Sequence, residues 1–121
     1  MYKLKVIDVF SSAHQLKGYQ GKCEELHGHN WKVEVEVEGE KLDSIGLLID
    51  FKELQQIVHT VLGKLDHRFL NDIKAFKGTN PSSELIAKYI YSELKNKLPS
   101  QVTLVSITVW ESEKACAVYF E

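Results

Sequence analysis

From His29 onward the chain alternates strictly, with Trp31, Val33, Val35 and Val37 on one parity and Lys32, Glu34, Glu36 and Glu38 on the other. Period-two patterning of this kind predicts a half-buried antiparallel strand, with one face on a core and the other in water. Residues 2–10 alternate more weakly, but they carry Val6, Ile7, Val9 and Phe10 and predict a strand leading straight into His14. Between the two, residues 15–26, with Gly18 and Gly21, predict a loop of about a dozen residues, a length that points to function in a small domain.

After the turns around Gly39 and Gly46 the apolar period lengthens. Phe51, Leu54, Ile57, Val58, Val61, Leu62 and Leu65 fall at helical spacing behind Asp50 and Glu53, which together read as a capping box, so an amphipathic helix is predicted over 51–64. A second helix is predicted from Asn80 as cap and Pro81 at the first helical position, through Leu85, Ile86, Tyr89, Ile90 and Leu94, to a stop at Pro99. Two further strands, roughly 102–111 and 115–120, join through a turn at Ser112 to Lys114. The order strand, strand, helix, helix, strand, strand predicts an α+β fold: a two-layer sandwich of a four-stranded antiparallel sheet with two helices on one face. Such a sheet has two edges, and joining sheets between subunits into a closed barrel is one way to remove them, so oligomerisation is expected.

Composition narrows the class without naming a partner. The chain has 121 residues, 44% of them hydrophobic, enough for one ordinary core, and residues 1–121 are expected to form one domain. Fifteen basic against seventeen acidic residues, a formal charge of -2, argue against nucleic acid as a partner. Cys23 and Cys116 make no disulfide framework, and the start at Met1 to Lys5 lacks a long apolar run. A reduced, cytoplasmic protein with no membrane attachment is the expectation.

The candidate chemistry is concentrated near the loop. His14, His27 and His29, three of the five histidines, lie within sixteen positions, and Cys23 stands four residues before His27. A zinc ion takes neutral imidazole readily, and a catalytic zinc keeps three protein ligands and one open position. On an extended segment His27 and His29 share one face and can converge on one ion, with His14 arriving from a neighbouring strand. The alternative is a closed structural site in which Cys23 completes the tetrahedron. The pair Asp66 and His67 follows the first helix and, taken by itself, reads more readily as a charge partner of its C-terminus than as a catalyst. Glu111 ends a strand where the alternation asks for an apolar or neutral residue.

Four separated motifs together resemble one family. Phe10-Ser11-Ser12-Ala13-His14, the Cys-x-x-x-His-Gly-His run at 23–29, Leu65-Asp66-His67 and Trp110-Glu111 look like the 6-pyruvoyl-tetrahydropterin synthase and 6-carboxy-tetrahydropterin synthase family, over residues 3–120 and in the right order. The three-residue spacer between Cys23 and His27 resembles the bacterial carboxy-tetrahydropterin branch of queuosine biosynthesis, whereas the animal pyruvoyl enzymes usually have a longer one. The resemblance implies the tunnelling fold, with trimers closing a barrel, two trimers stacking as a hexamer, and active sites between subunits.

It also implies roles. Zinc would be held by His14, His27 and His29, the substrate would be the small molecule 7,8-dihydroneopterin triphosphate, and the products 6-carboxy-tetrahydropterin, acetaldehyde and triphosphate. Cys23 would act as base, with Asp66 and His67 as a proton relay. Glu111 would accept the amino group and ring N–H of the pterin, while Ser82, Ser83 and Glu24 would bind substrate. The chain departs from the family at the second helix, where Pro81-Ser82-Ser83-Glu84-Leu85 replaces the frequent Pro-Thr-Ser-Glu-Asn. Glu24 stands where a subgroup that makes 6-hydroxymethyl-dihydropterin for folate places its catalytic glutamate. The alternatives are therefore a hydroxymethyl-forming or pyruvoyl-forming enzyme and, from a different class, a non-catalytic zinc module.

Overall fold

The computed structural model describes residues 1–18 and 25–121. Strands β1 (Tyr2–His14) and β2 (His27–Gly39) are followed by helices α1 (Phe51–Leu62) and α2 (Ser83–Leu94) and by strands β3 (Thr103–Trp110) and β4 (Cys116–Phe120). Single 3-10 turns at Leu70–Asp72 and Lys74–Phe76 lie between the helices. The four strands form one antiparallel sheet in the order β1-β2-β3-β4. This is the α+β two-layer architecture that the hydrophobic pattern predicts.

The alternation in β2 decides which face is covered. Trp31, Val33, Val35 and Val37 are fully buried, and with Val6 and Phe10 of β1 and Leu104, Ile107 and Val109 of β3 they make the sheet's half of the core. The other half comes from Leu54, Val58, Val61 and Leu62 of α1 and from Ile86, Ala87, Ile90, Tyr91 and Leu94 of α2. Helical period matched to strand period is what lets the two layers close on each other. On the open face the weak alternation of β1 is explained: Ile7 and Val9 are about half exposed, so only Val6 and Phe10 of that apolar group enter the core. Where β2 ends, a side chain on Gly39 would come within 2.6 Å of the Gln101 carbonyl oxygen, which only glycine avoids.

The helix boundaries differ from the sequence expectation. The Asp50 carboxylate caps α1 by accepting from the Lys52 N–H at 2.8 Å, and the helix ends at Leu62 rather than 64 because Gly63 and the following residues form turns. The cap of α2 is Ser82, whose hydroxyl accepts from the Leu85 N–H, and not Asn80. Asn80 is otherwise engaged, since its side-chain amide is bonded to the backbone of Lys17 in both directions. Pro81 precedes the cap, and its carbonyl faces the first candidate ligand.

Candidate metal centre

The register of β1 against β2 builds the site. His14 pairs directly with His27, and His29 lies two residues on, so all three face the helical layer on the parity of Phe10 and Trp31. His14 is completely buried. The two indole edges explain why: Trp31 packs against His14 with ring centroids 4.9 Å apart and against His29 at 5.0 Å, forming a hydrophobic floor under both imidazoles. The Trp31 N–H in turn donates to the Ser12 carbonyl at 3.3 Å.

Hydrogen bonds at the far side of each ring set the tautomer. His14 Nδ1 lies 2.8 Å from the Pro81 carbonyl and His27 Nδ1 2.8 Å from the Glu25 carbonyl, so both Nδ1 atoms carry the proton and both Nε2 atoms present a lone pair. Those two Nε2 atoms are 2.8 Å apart. Two lone pairs at that distance repel unless a proton or a cation stands between them. A proton is disfavoured, because burial holds the His14 imidazole below its ordinary pKa, with the Pro81 carbonyl and Glu111 only partly opposing that shift. His29 is lowered for the same leading reason.

A further nitrogen is left without a partner. Among the described residues His29 Nε2 is buried and accepts or donates no hydrogen bond, although Glu111 Oε1 stands 3.3 Å away, off the direction such a bond needs. The same oxygen is 3.2 Å from His14 Nε2. One ligand atom from each of His14, His27, His29 and Glu111 thus lies within 4.8 Å of the others. Tetrahedral zinc with bonds of about 2.0–2.1 Å needs neighbouring ligands roughly 3.4 Å apart, close to this spacing. Inward-pointing imidazoles, facing lone pairs and a nitrogen without a partner among the described residues together fit a divalent metal.

The remaining candidates are placed differently. Glu111, just beyond the end of β3, lines a cleft of about 430 Å³ with Ser83, Glu84, Ala117 and Val118, so one carboxylate adjoins both the histidines and an open cavity. Ser83 faces that cleft, while the hydroxyl of Ser82 serves as the cap of α2. Asp66 and His67 are not among the converging groups. Asp66 Oδ1 accepts from the Ser11 N–H at 2.8 Å and its Oδ2 is 2.9 Å from His67 Nδ1, contacts that hold the carboxyl below its ordinary pKa. The His67 imidazole is 83% exposed and its backbone is left-handed at φ 55, held there by its N–H donating to the Ser11 carbonyl. Cys23 and Glu24 lie outside the described residues.

Sequence reasoning missed the carbonyls of Pro81 and Glu25 and the floor made by Trp31. A backbone carbonyl has no residue signature, so nothing in the composition could have marked the first two. Trp31 was read only as core, although its parity with His27 and His29 already placed it beside them.

Residues 3–121 match the family described as 6-pyruvoyl tetrahydropterin synthase. The chain belongs to that family. A dihydroneopterin monophosphate aldolase of Pyrococcus furiosus is 39% identical over 105 residues, 87% of this chain and 85% of its own length. A 6-carboxy-5,6,7,8-tetrahydropterin synthase of Haemophilus influenzae is 31% identical over 143 aligned positions that span the whole of both chains. Among solved structures, the 6-pyruvoyl tetrahydropterin synthase of Caenorhabditis elegans superposes with a TM-score of 0.86 at 32% identity, covering 99% of this chain and 95% of that one. The four-stranded sheet with two helices is therefore the tunnelling fold of this family, and the chain is an enzyme of the pterin synthase type. No helix among the described residues is long and apolar enough to cross a membrane.

Proposed function

We propose that the protein is a zinc-dependent 6-carboxy-tetrahydropterin synthase that acts on 7,8-dihydroneopterin triphosphate and releases acetaldehyde and triphosphate, a step of queuosine biosynthesis. The observation that carries the reading is the convergence of three histidine nitrogens beside one carboxylate that also lines a cleft. The spacing of Cys23 to His27 and the name of the Haemophilus relative support the carboxy product. His14, His27 and His29 would hold the zinc, which when bound would supply a Lewis acid for the hydroxyl-bearing substrate side chain.

Every other step belongs to side chains of the protein. Glu111 adjoins both the histidines and the cleft, so a pterin anchored through its amino group and ring N–H on that carboxylate would lie beside the three histidines. Cys23 removes a proton from the side-chain carbon as thiolate. Asp66 orients the His67 imidazole through Nδ1, which frees Nε2 to exchange a proton with thiol or substrate. Electrons released as the side chain is oxidised reduce the pterin ring, so no nicotinamide is required.

The exposure of His67 supports assembly. A relay that is solvent-exposed and not among its own chain's converging histidines would suit the site of a neighbouring subunit, and we read the active unit as a hexamer of two stacked trimers with the sites between subunits. A second reading has one specific support: the Pyrococcus relative is named an aldolase, and Glu24 precedes His27 by three residues. That reading predicts 6-hydroxymethyl-dihydropterin as product. Incubating zinc-loaded protein with dihydroneopterin triphosphate, and in parallel with the monophosphate, then identifying the pterin by mass spectrometry, separates them. Failure to consume either substrate would sink both.

A further inference from the structure

The edge of β1 that faces away from β2 stays paired beyond the end of the strand. The Ser11 N–H donates to Asp66 Oδ1 and the Ser11 carbonyl accepts from the His67 N–H, while the Ala13 N–H donates to the Arg68 carbonyl at 3.1 Å and Ala13 bridges Phe69 in parallel. In an extended chain alternate residues point their backbone groups to the same side. Residues 15 and 17 continue this series, but their partners are side chains. The Gln15 N–H donates to Asn71 Oδ1 at 2.9 Å, and Asn71 Nδ2 donates back to the Gln15 carbonyl at 2.8 Å. The Lys17 N–H donates to Asn80 Oδ1 at 2.9 Å, and Asn80 Nδ2 returns a bond to the Lys17 carbonyl at 2.9 Å.

A primary amide carries a donor and an acceptor side by side, as a peptide group in a neighbouring strand does. Each asparagine thus substitutes for one residue of a missing strand. The residue after Asn80 is Pro81, whose carbonyl holds His14 Nδ1, so the same turn of chain grips the His14 ring and the backbone just past it. With Asn71 the grip spans both sides of residue 16.

We propose that Asn71 and Asn80 are positioning residues of the metal centre. Their amides act as a surrogate strand that holds the chain leaving His14 against the 71–81 excursion, and so keep the His14 lone pair aimed at the convergence point of the three histidines. Both amides are occupied by backbone groups, so they act through His14. The inference rests on the metal reading of the histidine cluster.

The test uses Asn71→Asp and Asn80→Asp. Each change keeps the volume and the acceptor for the backbone N–H, but it removes the donor and sets a carboxylate against a carbonyl oxygen. The expected result is a folded protein whose cobalt(II) affinity falls by about tenfold, in the range of partners that orient a ligand from outside, with weakened four-coordinate visible bands. In the metal-free variants, nitrogen-15 NMR should find His14 in mixed tautomers where the unmodified protein holds Nδ1–H. Unchanged cobalt affinity, bands and tautomer in both variants would overturn the proposal. Should either variant fail to fold, amide exchange in the unmodified protein decides. Slow exchange of the Gln15 and Lys17 amides together supports the surrogate strand, and exchange at the rate of free chain overturns it. The tautomer is read without metal, so an unmodified protein that binds no metal would defeat the metal reading while leaving the two amides tested on their own.

Discussion

His14 and His67 each have Nδ1 hydrogen-bonded, to the Pro81 carbonyl and to the Asp66 carboxylate, yet the first side chain is fully buried and the second is 83% exposed. The partners explain the division of labour. A neutral carbonyl fixes a tautomer without adding charge, and burial then keeps the ring neutral, which is the state a metal takes. The Asp66 carboxylate instead orients the His67 ring in open solvent, the arrangement that the proposed proton relay requires. On the proposed function, one imidazole would hold the metal and the other would exchange protons. The backbone follows suit: His14 sits in a regular strand pair, whereas His67 is kept left-handed by its bond to Ser11.

Removing a ligand is the harshest way to break this contrast. His27→Ala should lose both metal and activity, bound zinc falling from one equivalent per chain to near none by elemental analysis; retention of zinc would disprove its place in the ligand set. Cys23→Ala should keep the zinc and the fold while carboxy-pterin formation falls by about 10²–10⁴-fold, with product shifting towards hydroxymethyl-dihydropterin. If Cys23→Ala instead sheds zinc and unfolds, the closed structural site is the better description.

The exposed member is tested by exchange between subunits. His67→Ala should retain zinc and lose about 10²-fold in rate, and mixing it with Cys23→Ala under conditions that reassort subunits should restore part of the activity, because some sites then receive one intact residue from each chain. Mixtures no better than their components would place the relay and the thiol in one chain.

Acid should separate the buried rings from the exposed one. His14 and His29 have lowered pKa values, so the folded metal-free protein binds fewer protons than the unfolded chain. Their contribution to stability is then constant above the ordinary imidazole value of about 6.5 and declines as pH falls below it. Denaturant midpoints measured from pH 8 to 5 should drop over the lower part of that range, and zinc should flatten the drop by holding the rings neutral. A midpoint that rose on acidification would contradict the burial argument. The smallest effect is expected from Glu24→Ala, which should leave carboxy-pterin formation largely intact; its abolition, with Cys23→Ala harmless, would exchange the roles of the two residues.

Much of the molecule is determined by the sequence alone, and the reason is local. The alternation from Trp31 to Val37 and the helical spacing from Leu54 to Leu62 each depend on one element's period, so the two layers and the common parity of His27, His29 and Trp31 could be read directly. The four motifs were enough to indicate the family. What only the tertiary structure decided are relations between backbone groups distant in the chain. The carbonyl of Pro81 on His14, the left-handed turn that directs His67 outward, and the amides of Asn71 and Asn80 beside β1 all join segments more than fifty residues apart, with 67 residues between Pro81 and His14, 56 between Asn71 and Gln15 and 63 between Asn80 and Lys17. A carbonyl has the same composition wherever it lies, and an asparagine in a turn has the same local preferences whether it caps a helix or replaces a strand. Asn80 was accordingly expected at the cap that Ser82 fills, because local preference ranks the two alike and only the proximity of Lys17 distinguishes them.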